Sequence, residues 1–374
     1  MTEVAIETRR ADQASSMACP VNSYNGWDPL EEVIVGRIDG SVVPPHHVSV
    51  TFNVPKKAAF LLRFFGGRRY PWFLTRRAQE QLDGFVRVLE AEGVKVRRPD
   101  PLPLTRRFAS PLWSSRGFSL ACPRDGFMVL GDEIIETPMA WRCRYFEPEA
   151  YRSLFKDYFR RGARWTAAPR PQLTDELYAQ DYTIPAEGEP MRYVITEFEP
   201  VFDAADFVRC GRDLFVQRSN VTNAFGIEWM RRHLGDRFQV HEVETTCRTP
   251  MHIDSTFMPL APGKLLINPA YVPVERLPKM FRSWDVIVAP QPEPIPGMAF
   301  EYCSMTSLWI SLNVLMLDEK RVVVERSQKG MIETLKRHGF QPIPVAFAEY
   351  LPFGGSFHCA TLDVRRRGGL QSYF

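Results

Sequence analysis

Apolar runs rich in β-type residues recur along the chain, each interrupted by a short turn carrying Gly or Asp and then followed by a second apolar run. Glu32–Gly36 (EVIVG) opens the series. Phe127–Glu136 (FMVLGDEIIE), Phe207–Gln217 (FVRCGRDLFVQ), Thr256–Asn268 (TFMPLAPGKLLIN), Val314–Glu325 (VLMLDEKRVVVE) and Phe357–Val364 (FHCATLDV) continue it. Such pairs predict β-hairpins, because Gly and Asp supply the backbone geometry of tight turns while β-branched and aromatic residues suit a pleated sheet. The turns at Gly131, Gly211, Gly263 and Asp318 are spaced by roughly 80, 50 and 55 residues, close to the range of repeated supersecondary units. Between them the period changes to that of a helix. Glu80–Gly93 carries Leu82, Phe85, Val86 and Leu89 on one face, Phe225–Leu234 forms a second segment, and Gln328–His338 carries Met331, Ile332 and Leu335. The pattern predicts an α/β chain of about five hairpin-plus-helix units. Closing them into one assembly hides sheet edges that separate hairpins would expose.

Length alone, 374 residues, suggests two or three domains, but repeat-built closed architectures run longer as one unit. No low-complexity block or like-charge run divides the chain, so the expectation is a mobile tail over 1–19 and a single domain over 20–374. Pro-rich stretches near 98–111 and 286–298 read as long irregular connections. With 45% apolar and 24% charged residues, wholesale disorder is excluded. A net charge of +3 is far from the basic excess of a dedicated nucleic-acid binder, and no run of 18 apolar residues spans a membrane. Seven cysteines fit a reducing compartment better than a disulfide framework. With no apolar core in the first nineteen residues and acidic Glu3, Glu7 and Asp12 among them, the expected location is cytoplasmic.

Candidate chemistry lies just ahead of, or at the start of, the hairpins. Asp125 precedes the second, Asp203 the third, and His252 and Asp254 (Met251-His252-Ile253-Asp254) the fourth; Thr306 and Ser307 lie upstream of the fifth, and Cys359 follows Gly354-Gly355 in the last. If the units are related by rotation, these positions share one end and converge on a central pocket. In an extended segment His252 and Asp254, two apart, face the same side. Each residue also has a plainer reading. Cys19, Cys122, Cys143, Cys210, Cys247 and Cys303 read as small buried hydrophobes. Cys359 differs because the Gly pair before it permits close backbone approach. Asp203 or Asp206 could simply cap a turn. Metal binding by His252, Asp254, His358 and Cys359 lacks the spacing of a zinc motif, and no Gly-rich nucleotide loop is present.

The stretches PRD at 123–125, EIIETPMAWR at 133–142, FDAADF at 202–207, IEWMRRHL at 227–234, MHID at 251–254, LNVLMLDEKRV at 312–322 and FHC at 357–359 together resemble the amidinotransferases. This is the glycine and inosamine-phosphate amidinotransferase group of the pentein superfamily. The resemblance runs from Val21 nearly to the C-terminus. It implies a five-bladed, pseudo-symmetric α/β propeller of ββαβ modules. It also implies Cys359 as nucleophile, His252 as general acid/base, Asp203 as its orienting carboxylate, and Asp125 and Asp254 as the grip on a guanidinium group. Met251, Tyr271, Thr306 and Ser307 then line the substrate pocket. Tyr271 stands where glycine amidinotransferases carry an arginine that grips an α-carboxylate, which points away from glycine as acceptor and towards a specialised amine. The expected reaction moves the amidino group of L-arginine to a primary amine through an amidino-cysteine, in ping-pong order, releasing ornithine. No metal or organic cofactor is needed for it. A homodimer is compatible with the family, and neither nucleic acid nor membrane is an expected partner. The rivals are a guanidino-group hydrolase resembling arginine deiminase, in which water resolves the same intermediate, and a catalytically silent guanidino-binding protein.

Overall fold

The computed structural model describes residues 19–54, 56–295 and 306–374. The tail over 1–18 and Cys303 lie outside the described residues. Five three-stranded sheets share one pattern, an antiparallel pair extended by a third, parallel strand. Phe127–Leu130 pairs with Glu133–Glu136, which takes Arg164–Ala167 alongside. Phe207–Cys210, Asp213–Val216 and Gln239–Glu242 repeat the arrangement, as do Phe257–Ala261, Lys264–Ile267 and Asp285–Val288. Leu315–Met316, Arg321–Glu325 and Gln341–Val345 form the fourth in chain order. The remaining sheet joins the two ends of the chain: Leu30–Val35 pairs with Thr361–Arg366 on one side and Lys95–Arg97 on the other. This pairing ties the two ends of the chain into one blade.

The hairpins sit where the apolar pattern places them, because Gly131, Gly211 and Gly263 adopt positive φ of 62°, 66° and 75°. That is the left-handed region in which a side chain is strained. The first strand of each of these hairpins is buried throughout, as expected for strands facing the centre. The helix read from Glu80 begins at Trp72, behind Pro71, and ends at Ala91; it buries Ala78, Leu82, Phe85 and Leu89. Helices Ala224–Leu234 and Lys329–Arg337 agree with the pattern to within a residue or so, and Arg152–Arg160, not evident from the pattern, buries Leu154, Phe155 and Tyr158. One module departs from hairpin-plus-helix. Between Lys264–Ile267 and Asp285–Val288 the chain makes two 3-10 turns, Val274–Arg276 and Lys279–Ser283, because Pro273 and Pro278 lead into each and prevent a continuous helix. The irregular connection expected from 286 begins only after Val288, since Asp285–Val288 is the outer strand of that blade.

At the centre, Asp363 accepts hydrogen bonds from three buried guanidinium groups, those of Arg124, Arg209 and Arg366. Arg209 also donates to Ser23 and to the Val129 carbonyl, and Arg366 to the carbonyls of Asp28 and Met316. The network therefore stitches several blades to the N-terminal segment. Although burial opposes its charge, these arginines hold the Asp363 carboxyl well below the usual range.

Candidate active site

Five chain segments meet at one pocket, and each precedes an inner strand. Asp125 lies on the helical turn Pro123–Gly126, immediately ahead of Phe127. Asp203 precedes the turn Ala204–Asp206, His252 caps the turn Ile253–Ser255 that holds Asp254, and Ser307 caps Leu308–Leu312. Cys359 enters directly into the strand Thr361–Arg366. Asp125, Met251, His252, Asp254, Tyr271 and Cys359 line the pocket together with Thr306 and Ser307. Asp203 stands behind it, reaching it through His252. The convergence expected from sequence is present, with one correction. His252 and Asp254 do not share a face through extended backbone; His252 has φ 59° and the next three residues form a turn, so it is the turn that directs both side chains inward.

His252 Nε2 bonds Asp203 Oδ2 at 3.0 Å, leaving Nδ1 on the side of Asp125, 3.7 Å from its Oδ1. Burial disfavours the imidazolium, but Asp125 and the hydrogen bonds to Asp203 and Cys359 outweigh it and hold its pKa well above the ordinary value. The Cys359 thiol is pushed well up, by the hydrogen bond it shares with the Cys122 thiol and by burial, with Asp254 acting in the same direction. Asn313 holds the cysteine from two sides: its Nδ2 donates to Sγ at 3.2 Å, and its Oδ1 accepts the Cys359 backbone N–H at 3.0 Å. Gly355 allows this approach, since a Cβ there would lie 2.4 Å from that of Cys359.

Two carboxylates flank the sulfur with one oxygen engaged and one spare. Asp125 Oδ2 accepts from Arg144 at 2.7 Å, and Asp254 Oδ2 accepts from His358 Nδ1 at 2.7 Å. Asp125 Oδ1 and Asp254 Oδ1 are buried without a hydrogen-bond partner. Orphaned buried carboxylate oxygens are costly unless a cation with N–H groups reaches them. Burial raises the Asp125 pKa, while the His358 bond helps keep Asp254 low against its own burial. Donor atoms of Asp125, His252 and Cys359 also lie within 4.8 Å of one another, the arrangement among the described residues that could hold a metal ion.

Asp203 and Asp206, each of which could cap a turn, have different partners. Asp206 accepts from Gln217, Ser219 and Thr222 and is structural, whereas Asp203 faces the histidine. Several contributors were not singled out from sequence. Arg144 is gripped by Glu147 through both carboxylate oxygens and extends to Asp125 and the Cys122 carbonyl. The signal for it was an arginine three residues before a glutamate inside an apolar stretch. Cys122 is buried as its plain reading holds, yet its thiol shares a hydrogen bond with that of Cys359. Tyr271 is half-buried, with its hydroxyl hydrogen-bonded to the Cys247 thiol.

An L-arginine:L-lysine amidinotransferase of Pseudomonas savastanoi pv. phaseolicola is 50% identical over 95% of this chain and 96% of its own. The chain belongs to the amidinotransferase family. A mitochondrial glycine amidinotransferase of Gallus gallus is 46% identical over 97% of this chain and 87% of its own. Among solved structures, the saxitoxin-pathway amidinotransferase SxtG of Microseira wollei superimposes with a TM-score of 0.89 at 54% identity, covering 95% of this chain and all of that one. No family model matches the chain. The protein is thus an amidino-transferring enzyme on a pentein fold.

Proposed function

We propose that the enzyme takes the amidino group from L-arginine and passes it, through a covalent amidino-Cys359, to a primary amine other than glycine. The observation that carries this reading is the pair of spare carboxylate oxygens, Asp125 Oδ1 and Asp254 Oδ1, beside a cysteine and a carboxylate-backed histidine. A guanidinium ion is planar and cationic and presents N–H groups in fork geometry, so it satisfies both oxygens and fixes its carbon over Sγ. Its charge also offsets the negative surroundings that keep Cys359 protonated, so donor binding favours loss of the thiol proton to solvent and leaves the thiolate, while His252 keeps its own proton.

The thiolate adds to the guanidinium carbon and the C=N electron pair moves to nitrogen. His252, held through Nε2 by Asp203, gives its Nδ1 proton to the ornithine nitrogen, whose bond to carbon then breaks. The acceptor amine loses a proton to His252 and attacks the amidino carbon, and the C–S bond breaks to restore the thiolate. The acceptor reading rests on charge. Among the residues lining the pocket only Arg144 is a permanent cation, and its guanidinium is occupied by Glu147 and Asp125. The sequence from 296 to 305 contains no Lys or Arg. Tyr271, Thr306 and Ser307 therefore offer neutral groups to a substrate carboxylate. The lysine acceptor named for the Pseudomonas relative and the pathway named for SxtG fit an acceptor larger than glycine. The six free cysteines among the described residues fit a reducing, cytoplasmic setting.

The test is incubation with arginine and a panel of amines, read by mass spectrometry. Ornithine, a new guanidine and an amidino adduct on Cys359 are expected; citrulline and ammonia would establish hydrolysis instead. Efficient guanidinoacetate formation from glycine would overturn the acceptor assignment, and Tyr271→Arg is expected to raise use of glycine.

A further inference from the structure

One stretch of surface is unused by the chemistry. From Gly40 to Gln79 the sequence holds no Asp or Glu but seven basic residues, Lys56, Lys57, Arg63, Arg68, Arg69, Arg76 and Arg77. With a chain total of +3, the remainder of the protein is net negative. The same stretch concentrates exposed apolar side chains: Phe60 is 58% exposed, Phe64 57% and Trp72 71%, with Leu61, Phe65 and Phe73 also open.

The local structure explains why they face outward. Helix Lys56–Phe65 anchors through Leu62, which joins a core cluster with Val50, Phe52, Phe118 and Trp141. The Phe60 and Phe64 rings, one turn apart, meet at 5.1 Å on another face. A Gly66-Gly67 turn follows. It is tied down by hydrogen bonds from Gly67 N to the Val43 carbonyl and from Val43 N to the Arg68 carbonyl, and it presents Arg68 and Arg69 to solvent. Trp72 and Phe73 then open the next helix. Arg63 lies near His46, Arg76 pairs with Glu80 and Arg77 approaches Glu349, while Arg68 stacks on Phe65.

We infer that this helix–turn–helix edge is a docking surface for an anionic lipid bilayer. Exposed Phe, Leu and Trp beside Arg68 and Arg69, with no acidic residue between Gly40 and Gln79 and Glu80 and Glu349 only at the margin, is the composition of an interfacial segment: the rings enter the headgroup boundary and the guanidinium groups meet lipid phosphate. A symmetric contact with a second copy would place this basic surface against itself, which charge disfavours. Among the described residues no helix is long and apolar enough to cross a membrane, so the association is peripheral.

Flotation of the full chain with phosphatidylcholine vesicles, with and without about 30 mol% phosphatidylglycerol, tests the inference. Binding to the anionic vesicles at least tenfold stronger than to the neutral ones is expected, weakening as salt is raised. Phe60→Ser/Phe64→Ser and Arg68→Glu/Arg69→Glu variants should each lose it by tenfold or more while their solution amidino-transfer rates stay at wild-type level. Trp72→Phe should remove a lipid-dependent blue shift in emission. Absence of wild-type binding to anionic vesicles would overturn the assignment, as would undiminished binding by both double variants. A dimer in sedimentation that the Phe60/Phe64 variant converts to monomer would assign the face to self-association and refute the lipid reading.

Discussion

Replacing Asp125 by Asn keeps the shape of the side chain and removes only its charge. Asp125 Oδ2 is held by Arg144 at 2.7 Å and Oδ1 is spare, so the substitution leaves an acceptor in place but weakens its hold on a guanidinium cation. A hydrogen bond to a charged partner contributes about 1.5–3 kcal/mol. Two unit charges about 4 Å apart attract by about 4 kcal/mol at an effective dielectric of 20. Asn retains part of the first contribution and none of the second, so a loss of about 2–4 kcal/mol is expected, or roughly 30- to 1000-fold in kcat/KM for the donor. Two further readouts separate this from simple damage. Asp125 is the largest contributor raising the His252 pKa, so in D125N the histidine loses its proton at lower pH and the alkaline limb of the rate profile moves down. Stability should not fall. The folded-state pKa of Asp125 is raised, so ionising it costs the fold stability as pH climbs from about 3.8 through the raised value, and that cost is present at pH 7. D125N removes it while Arg144 keeps Glu147 at 2.9 Å. Steady-state kinetics with arginine across pH, together with a thermal melt at pH 7, check the argument. Turnover within threefold of wild type, or a large drop in Tm accompanying the lost activity, would refute it.

Asn313→Ala should lower kcat/KM by about 10- to 100-fold with little change in Tm, since it removes both bonds that position Cys359 at the cost of about one hydrogen bond each; rates of Cys359 alkylation give an independent measure. His358 is buried with its pKa pressed down to about 4, chiefly by burial and then by Arg124. The folded state thus resists protonating it, and stability should fall as pH drops from about 6.5 towards 4, by about 2 kcal/mol at pH 5. Urea midpoints at pH 7 and 5 measure this, and His358→Asn should flatten the difference. Asp363→Asn leaves three buried guanidinium groups without their shared carboxylate, so a loss of at least about 3–5 kcal/mol is expected. Circular-dichroism melts should show it as a strongly lowered Tm or failure to fold.

Much of the fold was legible because it is repetitive. Gly131, Gly211 and Gly263 sit at tight turns that require positive φ, and paired apolar runs leave a hairpin as the natural solution. The helices at Ala224–Leu234 and Lys329–Arg337 followed from period alone. The helix Trp72–Ala91 begins eight residues ahead of the periodic stretch at Glu80, because its first turns carry Trp72 and Phe73 outward and their apolar character does not mark a buried face. Two 3-10 turns replaced a helix in one blade because prolines at 273 and 278 outweighed the repeat. At the site, Cys359, His252, Asp203, Asp125 and Asp254 were nameable by their motifs. Arg144, Asn313 and Cys122 were not, since each acts by touching another residue far away in the chain.

The order of apolar runs and turns along the sequence specified five similar modules, and the motifs ahead of their inner strands specified which side chains the chemistry could use. Those properties are local: they depend on backbone preference and on side-chain type. Ring closure by Leu30–Val35 and Thr361–Arg366 brought the five segments to one end. That packing decided which carboxylate oxygens stay spare and that Asp203 rather than Asp206 meets the histidine. Protonation states were decided at the same level, because burial and the distance to a neighbouring charge fix a pKa and neither is a property of a residue alone.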